Sequence, residues 1–541
     1  MVLVVYAKGQ NPMPAKLKIL PTSLNDNSEV TTMSAPSLDE IERELRALLG
    51  AAIENARTGE DTTFMAFEKA LLPTVHLMGR LLLLLFLSVR EARERARTPE
   101  RVEKDGRVYR RRPPQPRNLD TIFGVLRYFR TYLRGPDGHG YHPVDLVLGL
   151  TADRLTMNLL SLAARLATFM SYARVHATMS WFLGAAPSTE VIENTVLGLG
   201  RRTGEWFERA APPSDDGEVL ILQFDSKGAP TATDTELERR RGPRRPNPAP
   251  SSPRHRGRDH RERYGSKPRR KKGDKSKNAK MATLVVMYTL RRTTDGSGTL
   301  LGPFNRKVYA SFAPKRHAFA VARREADKRG FARGSGKLVQ MITDGDEDLA
   351  KYKDEFFPEA IHTVDVMHVL EYIHTAGECL YREGSGELAV WIEQQKQQLY
   401  GGQEARVVDE LTKRLAAIPP TGPGNKGKRE RLTKAIGYLS KRLDKMNYKD
   451  LAERDLELGS GAVEGAVKNI IGARFDFGGS RWIRERAEAL LQLRCIDANG
   501  DWEAFTQWVH DDHRKQSLVT GVPVRVQQNI AASLPKLGVA A

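Results

Sequence analysis

The chain has 541 residues, and 86 Lys and Arg outnumber 67 Asp and Glu to leave a formal charge of +19. Domains run to roughly 100–200 residues, so this length exceeds one compact core, and 40% apolar residues is enough to build more than one and to exclude a wholly disordered chain. Cys379 and Cys495 stand alone without a CxxC pair, which excludes a disulfide scaffold, a zinc finger or an iron–sulfur protein and suits a reducing cytoplasm. The positive surplus points to a polyanionic partner.

The opening MVLVVYAKGQ has no basic segment followed by a long apolar core, so no signal peptide is expected. Residues 1–105 read as helical: Leu38-Asp39-Glu40 opens a run with Ile41, Leu45, Leu48 and Leu49 on one face, and 64–97 continues it. Within that stretch Leu81–Leu87 is the only membrane-like segment, and it is far shorter than the ~20 residues that cross a bilayer. A buried helix and no membrane partner are expected. The prolines and arginines of 107–117 suggest an exposed linker. The rest of 106–210 reads as a helical, DNA-binding region. There 170–183 and 189–202, joined by Gly184-Ala185-Ala186-Pro187-Ser188, have the outline of a helix-turn-helix, although two ordinary packed helices look the same.

From residue 217 the pattern changes. EVLILQF (218–224), MATLVVMYTL (281–290), RKVYASF (306–312), GKLVQMI (336–342) and AIHTVDV (360–366) are five apolar, β-branched or aromatic runs. Helix-like segments 316–330 and 346–356 separate the last three, so 211–370 is expected to be a mixed α/β layer. Residues 239–277 interrupt it with 17 Lys and Arg against three acidic residues, a surplus of 14, and almost no apolar content. Such a segment gains too little from burial to offset its chain entropy and is expected to be disordered alone. Arg239, Arg240, Arg241, Arg244, Arg245, Arg269, Arg270, Lys271 and Lys272 make it a candidate grip on a phosphate backbone; a solvated linker has the same composition. Amphipathic helices fill 371–455, a glycine-rich loop and further helices fill 456–515, and 516–541 reads as a tail.

Three acids stand out by position. Asp225 closes the first strand run, and Asp344, followed by Gly345, closes the fourth, at the rim where open α/β layers bind ligands. Glu464 lies in the first turn of a helix behind Gly459-Ser460-Gly461, beside a stripe of Val463, Ala466, Val467 and Ile470. Hard oxygen donors so arranged suit two Mg²⁺ (or Mn²⁺) ions, about 3.5–4 Å apart, for phosphoryl transfer. Each acid also has an ordinary alternative: a turn or helix cap for the aspartates, and dipole and Lys468 pairing for Glu464.

ILQFDSKGAPT (221–231), ITDGDEDL (342–349), IHTVDVMHVLEYI (361–373), GSGAVEGAVKNIIGARFDFGGSRW (459–482), EALLQLRCIDANGDWEAFTQW (488–508) and YHPVDLVLGL (141–150) carry a family likeness. Over about 110–510 the chain resembles bacterial insertion-sequence transposases with an RNase H-like DDE domain, most closely the ISKra group. The resemblance implies an RNase H-like mixed five-stranded sheet with flanking helices, interrupted by an all-helical insertion at 371–455. It also implies Asp225, Asp344 and Glu464 as catalytic metal ligands. Asp365 and His368 match a D-x-x-H motif of related groups, as accessory site residues or a simple packed pair. The implied activity is binding of terminal inverted repeats in double-stranded DNA, two-metal cleavage and strand transfer, by a cytoplasmic homo-oligomer. A non-transposing RNase H-like nuclease and a non-catalytic DNA-binding protein share much of this pattern.

Overall fold

The computed structural model describes residues 36–58, 62–232, 279–295, 297–476 and 481–527. The opening residues and the basic stretch 239–277, with its nine candidate DNA contacts, lie outside them. The chain divides into two compact units, Met1–Asn118 with Phe123–Val144, and Leu119–Ile122 with Asp145–Ala541.

In the first unit, helix α1 (Leu38–Thr58) opens on a reciprocal cap: Ser37 N donates to Glu40 Oε2 at 2.8 Å and Glu40 N to Ser37 Oγ at 3.2 Å. Helix α2 (Phe64–Arg97) starts at Thr63, whose hydroxyl accepts from Ala66 N. Its buried residues Leu81, Leu84, Leu87 and Glu91 form one stripe, while Leu82 and Phe86 are exposed, so α2 is amphipathic here rather than a buried helix. The apolar stretch is also longer than Leu81–Leu87, because Phe64, Met65, Leu71, Leu72 and Val75 extend it. By length and composition alone α2 is long enough to cross a bilayer, with a mean hydropathy of 1.9 over an 18-residue window of which 11% is buried.

The region expected to be linker and helix is instead an antiparallel sheet, β1 (Arg101–Lys104), β2 (Arg107–Thr121), β3 (Gly124–Arg134) and β4 (Gly140–Tyr141), in that order. Asp105 and Gly106, with φ of 53° and 71°, make the two-residue turn that closes β1 on β2. The prolines that suggested a linker, Pro113, Pro114 and Pro116, lie beyond Arg110, where β1 no longer pairs and missing donors are tolerated.

The second unit is mixed α/β. Helices α3 (Pro143–Leu148), α4 (Met157–Phe169), α5 (Tyr172–Phe182), α6 (Thr189–Gly200) and α7 (Thr203–Arg209) lead into a sheet of β5 (Val219–Ala232), β6 (Ala279–Arg292) and β7 (Leu300–Ser311). Helix α8 (Lys315–Lys328), β8 (Leu338–Thr343), α9 (Glu347–Phe356) and β9 (Ile361–Val364) complete it in the order β7-β6-β5-β8-β9. Strand β5 is antiparallel to β6 and parallel to β8, and β8 is parallel to β9. All five strand expectations fall in this sheet. Helices α10 (Val366–Leu380), α11 (Gly386–Tyr400), α12 (Glu404–Ala417), α13 (Asn425–Ser440) and α14 (Tyr448–Glu453) form the helical insertion. Helix α15 (Gly461–Ala466) runs through a wider turn (Val467–Gly472) into α16 (Ala473–Phe475), followed by β10 (Trp482–Ile483), α17 (Arg484–Ala498) and α18 (Trp502–Thr520). Strand β10 pairs in parallel with the far end of β5, Trp482 opposite Thr231 and Ile483 opposite Ala232, so the sheet has six strands rather than the expected five, because β5 runs on past the β5–β8 ladder.

Two further expectations change. α5 and α6 match the helix-turn-helix outline, but Ile192, Thr195, Val196, Leu197 and Leu199 of α6 are buried and Gly200 lies against Ala489 of α17. Only Thr189 and Glu190 of α6 are exposed, and Val191–Gly200 are buried or half-buried, so little of this helix is open to a groove. Residues 516–527 are not a loose tail: α18 extends to Thr520, Val524 O accepts from Ala152 N at 2.9 Å, and Val526 N donates to Asp153 Oδ2 at 2.6 Å.

Candidate active site

The sheet register puts three acids in a row. The β5–β8 ladder pairs Gln223 with Ile342, and β8–β9 pairs Thr343 with Val364. Asp225 and Asp344 each lie two residues beyond the first of these pairs, and Asp344 and Asp365 each lie one residue beyond the second. Asp225 does not end its strand as expected: β5 continues to Ala232 because its antiparallel ladder with β6 outruns the parallel one. Asp344 does follow the last residue of β8. Gly345 next to it has φ +85°, and an added Cβ would lie 2.5 Å from Arg442 Nε and 2.9 Å from Tyr438 Oη.

Asp365 is buried and caps α10, accepting from Met367 N at 2.9 Å. Its Oδ2 also meets His368 Nδ1 at 3.0 Å and Ser460 Oγ at 2.5 Å. Burial would raise its carboxyl, but these bonds hold it below the usual value. The same bond to Asp365 raises His368 to about 9, against the opposing effect of burial. One candidate ligand atom from each of Asp365, His368 and Glu464 lies within 4.8 Å of the other two. The trio Asp225, Asp344 and Glu464 does not close to that spacing, yet it shares the site. Burial raises the Asp225 carboxyl, its bond from Ser226 N opposes this, and the charges of Asp344 and Glu464 push it up further.

The expected Glu464–Lys468 pair is present at 3.4 Å on a half-open surface. Asp225 Oδ1 accepts from Ser226 N at 2.6 Å and Asp344 Oδ1 from Asp346 N at 2.9 Å. No described residue hydrogen-bonds the second oxygen of Asp225, Asp344 or Glu464. Carboxylate oxygens left open beside like charges are the donor set a hard divalent cation requires. The residues therefore fit such an ion, with Asp365 already committed to its hydrogen bonds.

Sequence reasoning missed the residues that hold this arrangement. Gln223 is buried on β5, two residues before Asp225. Its Nε2 donates to Tyr288 Oη at 3.0 Å and Gly459 O at 3.3 Å, and its Oε1 accepts from Val463 N at 3.0 Å. Gln340 on β8 does the same one segment earlier, donating to Glu457 O at 2.7 Å and Thr363 Oγ1 at 2.9 Å and accepting from Glu457 N at 3.1 Å. Together they fasten 457–463 across the sheet and so place the first turn of α15 with Glu464. From the insertion, Tyr438 Oη donates to Asp344 O at 2.8 Å and Arg442 Nε to Gly345 O at 3.0 Å. The signal for the glutamines was visible: each is the one polar side chain inside an apolar strand run.

Comparison with protein-family models finds no match, and neither does comparison with curated proteins.

Proposed function

We propose that the chain is a DNA transposase whose catalytic core is an RNase H-like domain. The observation that carries this reading is that Asp365, His368 and Glu464, from segments far apart in sequence, bring ligand atoms within 4.8 Å of one another, with Asp344 in register beside Asp365 and Asp225 close enough to feel the charges of Asp344 and Glu464. The strand order, with three antiparallel strands followed by two added in parallel, and the family likeness of the same segments support it.

Asp225, Asp344 and Glu464 would hold the divalent ions, Mg²⁺ or Mn²⁺, two per site. Such ions, when bound, supply Lewis acidity toward the oxygens of an in-line phosphoryl transfer. The carboxylates bind, Gln223 and Gln340 fix the approach of Glu464, and Tyr438 with Arg442 fixes the turn bearing Asp344. Asp365, anchored by Ser460, orients the His368 ring at the rim. Water attacks the phosphodiester at the element end and frees a 3′-hydroxyl, which then attacks target DNA, forming one phosphodiester as another breaks. Pairing two ends calls for a homo-oligomer on double-stranded DNA, in the cytoplasm.

Labelled duplex carrying the inverted repeats tests this directly. Asp225→Asn, Asp344→Asn and Glu464→Gln should each lower Mg²⁺-dependent cleavage by at least about a hundredfold, since each removes several kcal/mol of charge stabilisation. Undiminished cleavage by any one of them rejects that residue's assignment. Metal-dependent nicking without joining would favour a nuclease.

A further inference from the structure

Residues 101–118 hold seven Lys and Arg against two acidic residues. In the β1–β2 hairpin the register sets like charges face to face: Arg101 opposite Arg110, and Lys104 opposite Arg107. Directly opposed residues of an antiparallel pair share a face with side chains in reach, so like charges there are destabilising. Arg112 lies two residues past Arg110 and extends the first face, which also carries Glu103 and Val108; all five of these side chains are exposed. On the other face, Arg107 reaches Asp137 at 3.3 Å and Lys104 lies over the Tyr141 ring at 5.3 Å. Arg101, Arg110 and Arg112 form no ion pair with a described residue. The sequence has set three guanidinium groups on one exposed ribbon face with a single nearby carboxylate.

From this geometry we propose that the β1–β2 hairpin grips the phosphate backbone of double-stranded DNA through Arg101, Arg110 and Arg112. An anion between opposed arginines turns their repulsion into shared attraction, and guanidinium is the side chain suited to phosphate. A two-stranded ribbon is of a size that the roughly 12 Å major groove admits. The choice of DNA rests on the transposase reading; the cationic face does not. The hairpin replaces α6 as the element expected to meet DNA among the described residues.

Anisotropy titrations of the full chain with a labelled duplex, in EDTA and across a salt series, test the proposal. In Arg101→Gln/Arg110→Gln/Arg112→Gln the slope of log K against log salt should fall by about 2–3, at roughly 0.9 per phosphate contact, with affinity at 100 mM salt down at least about tenfold. The matching triple Lys variant should keep most of the slope, which ties the loss to charge rather than folding. The Gln variant alone should melt no lower than the parent. A slope and affinity unchanged in the Gln variant overturn the proposal, whatever cleavage shows. Weakened binding by that variant, with no metal-dependent cleavage by the parent, leaves the hairpin standing and removes the transposase.

Discussion

Gln223→Leu tests how the acid cluster is held together. Leucine nearly matches glutamine in volume, so the change removes hydrogen bonds with little effect on packing. Tyr288 Oη loses its donor in a buried setting, Gly459 O loses its partner in a half-buried one, and Val463 N keeps only the carbonyl of Ser460 at 3.0 Å. A buried group left unsatisfied costs about 1–3 kcal/mol and an ordinary net hydrogen bond about 0.5–1.5 kcal/mol, so a loss of roughly 2–4 kcal/mol is expected. Equilibrium urea unfolding reads that loss as a lower midpoint at unchanged slope. The catalytic consequence is separate. Freed from β5, the Gly459–Val463 segment carries Glu464 out of register with Asp225, and a displacement of about 1 Å costs up to a hundredfold in rate. Single-turnover cleavage at saturating DNA should therefore fall at least tenfold while DNA affinity holds. A variant that unfolds at the parent's midpoint and cleaves at the parent's rate would refute the clamp.

Two further outcomes follow from the same geometry. Asp216 receives Arg329 at 2.6 and 2.8 Å, Thr289 Oγ1 at 2.5 Å and Asn305 Nδ2 at 3.1 Å. Burial would raise its carboxyl, yet Arg329 foremost, then Thr289 and Asn305, hold it well below the usual range. A depressed folded value means stability present above the unfolded pKa of about 3.9 and lost as pH falls through the folded one. Asp216→Asn should cost about 3 kcal/mol at pH 7, by stranding a buried guanidinium, with the gap to the parent narrowing below about pH 4 in urea melts. Gly345→Ala should lose about 1–2 kcal/mol to its left-handed backbone alone, and cleavage should fall by more than that stability change, because the new methyl displaces Arg442 from the turn bearing Asp344. Cleavage equal to the parent's would show that the insertion does not position Asp344.

The second unit's sheet was legible because each of its five main strands contains an apolar, β-branched or aromatic run, although β5, β6 and β7 extend beyond those runs, and the stripe Val463, Ala466, Val467, Ile470 announced its helix in the same way. The first unit's sheet was not. Residues 107–117 carry five arginines and three prolines, composition that means linker unless a partner strand is known, and that partner depends on the Asp105-Gly106 turn upstream. Asp365 and His368 were legible as a D-x-x-H pair. The place of Asp365 in line with Asp225 and Asp344 needed the register, which no local pattern states. The holding residues Tyr438 and Arg442 lie 94 and 97 positions from the groups they bind, so only the folded insertion brings them there.

Between α15 and α16 the helix widens over Val467–Gly472, and Arg494 closes it from α17, donating to Ile470 O at 2.7 Å and Asn469 O at 2.5 Å. A widened turn accommodates one residue more than regular winding allows. Deleting a single codon there would let the coil tighten to standard pitch, and one residue of an α-helix is about 100° of rotation. Either Glu464 would swing around the axis away from Asp225, or Phe475 would leave its pocket against Phe312 and Trp482. The segment thus tolerates substitution on its outer side far better than any change in its length.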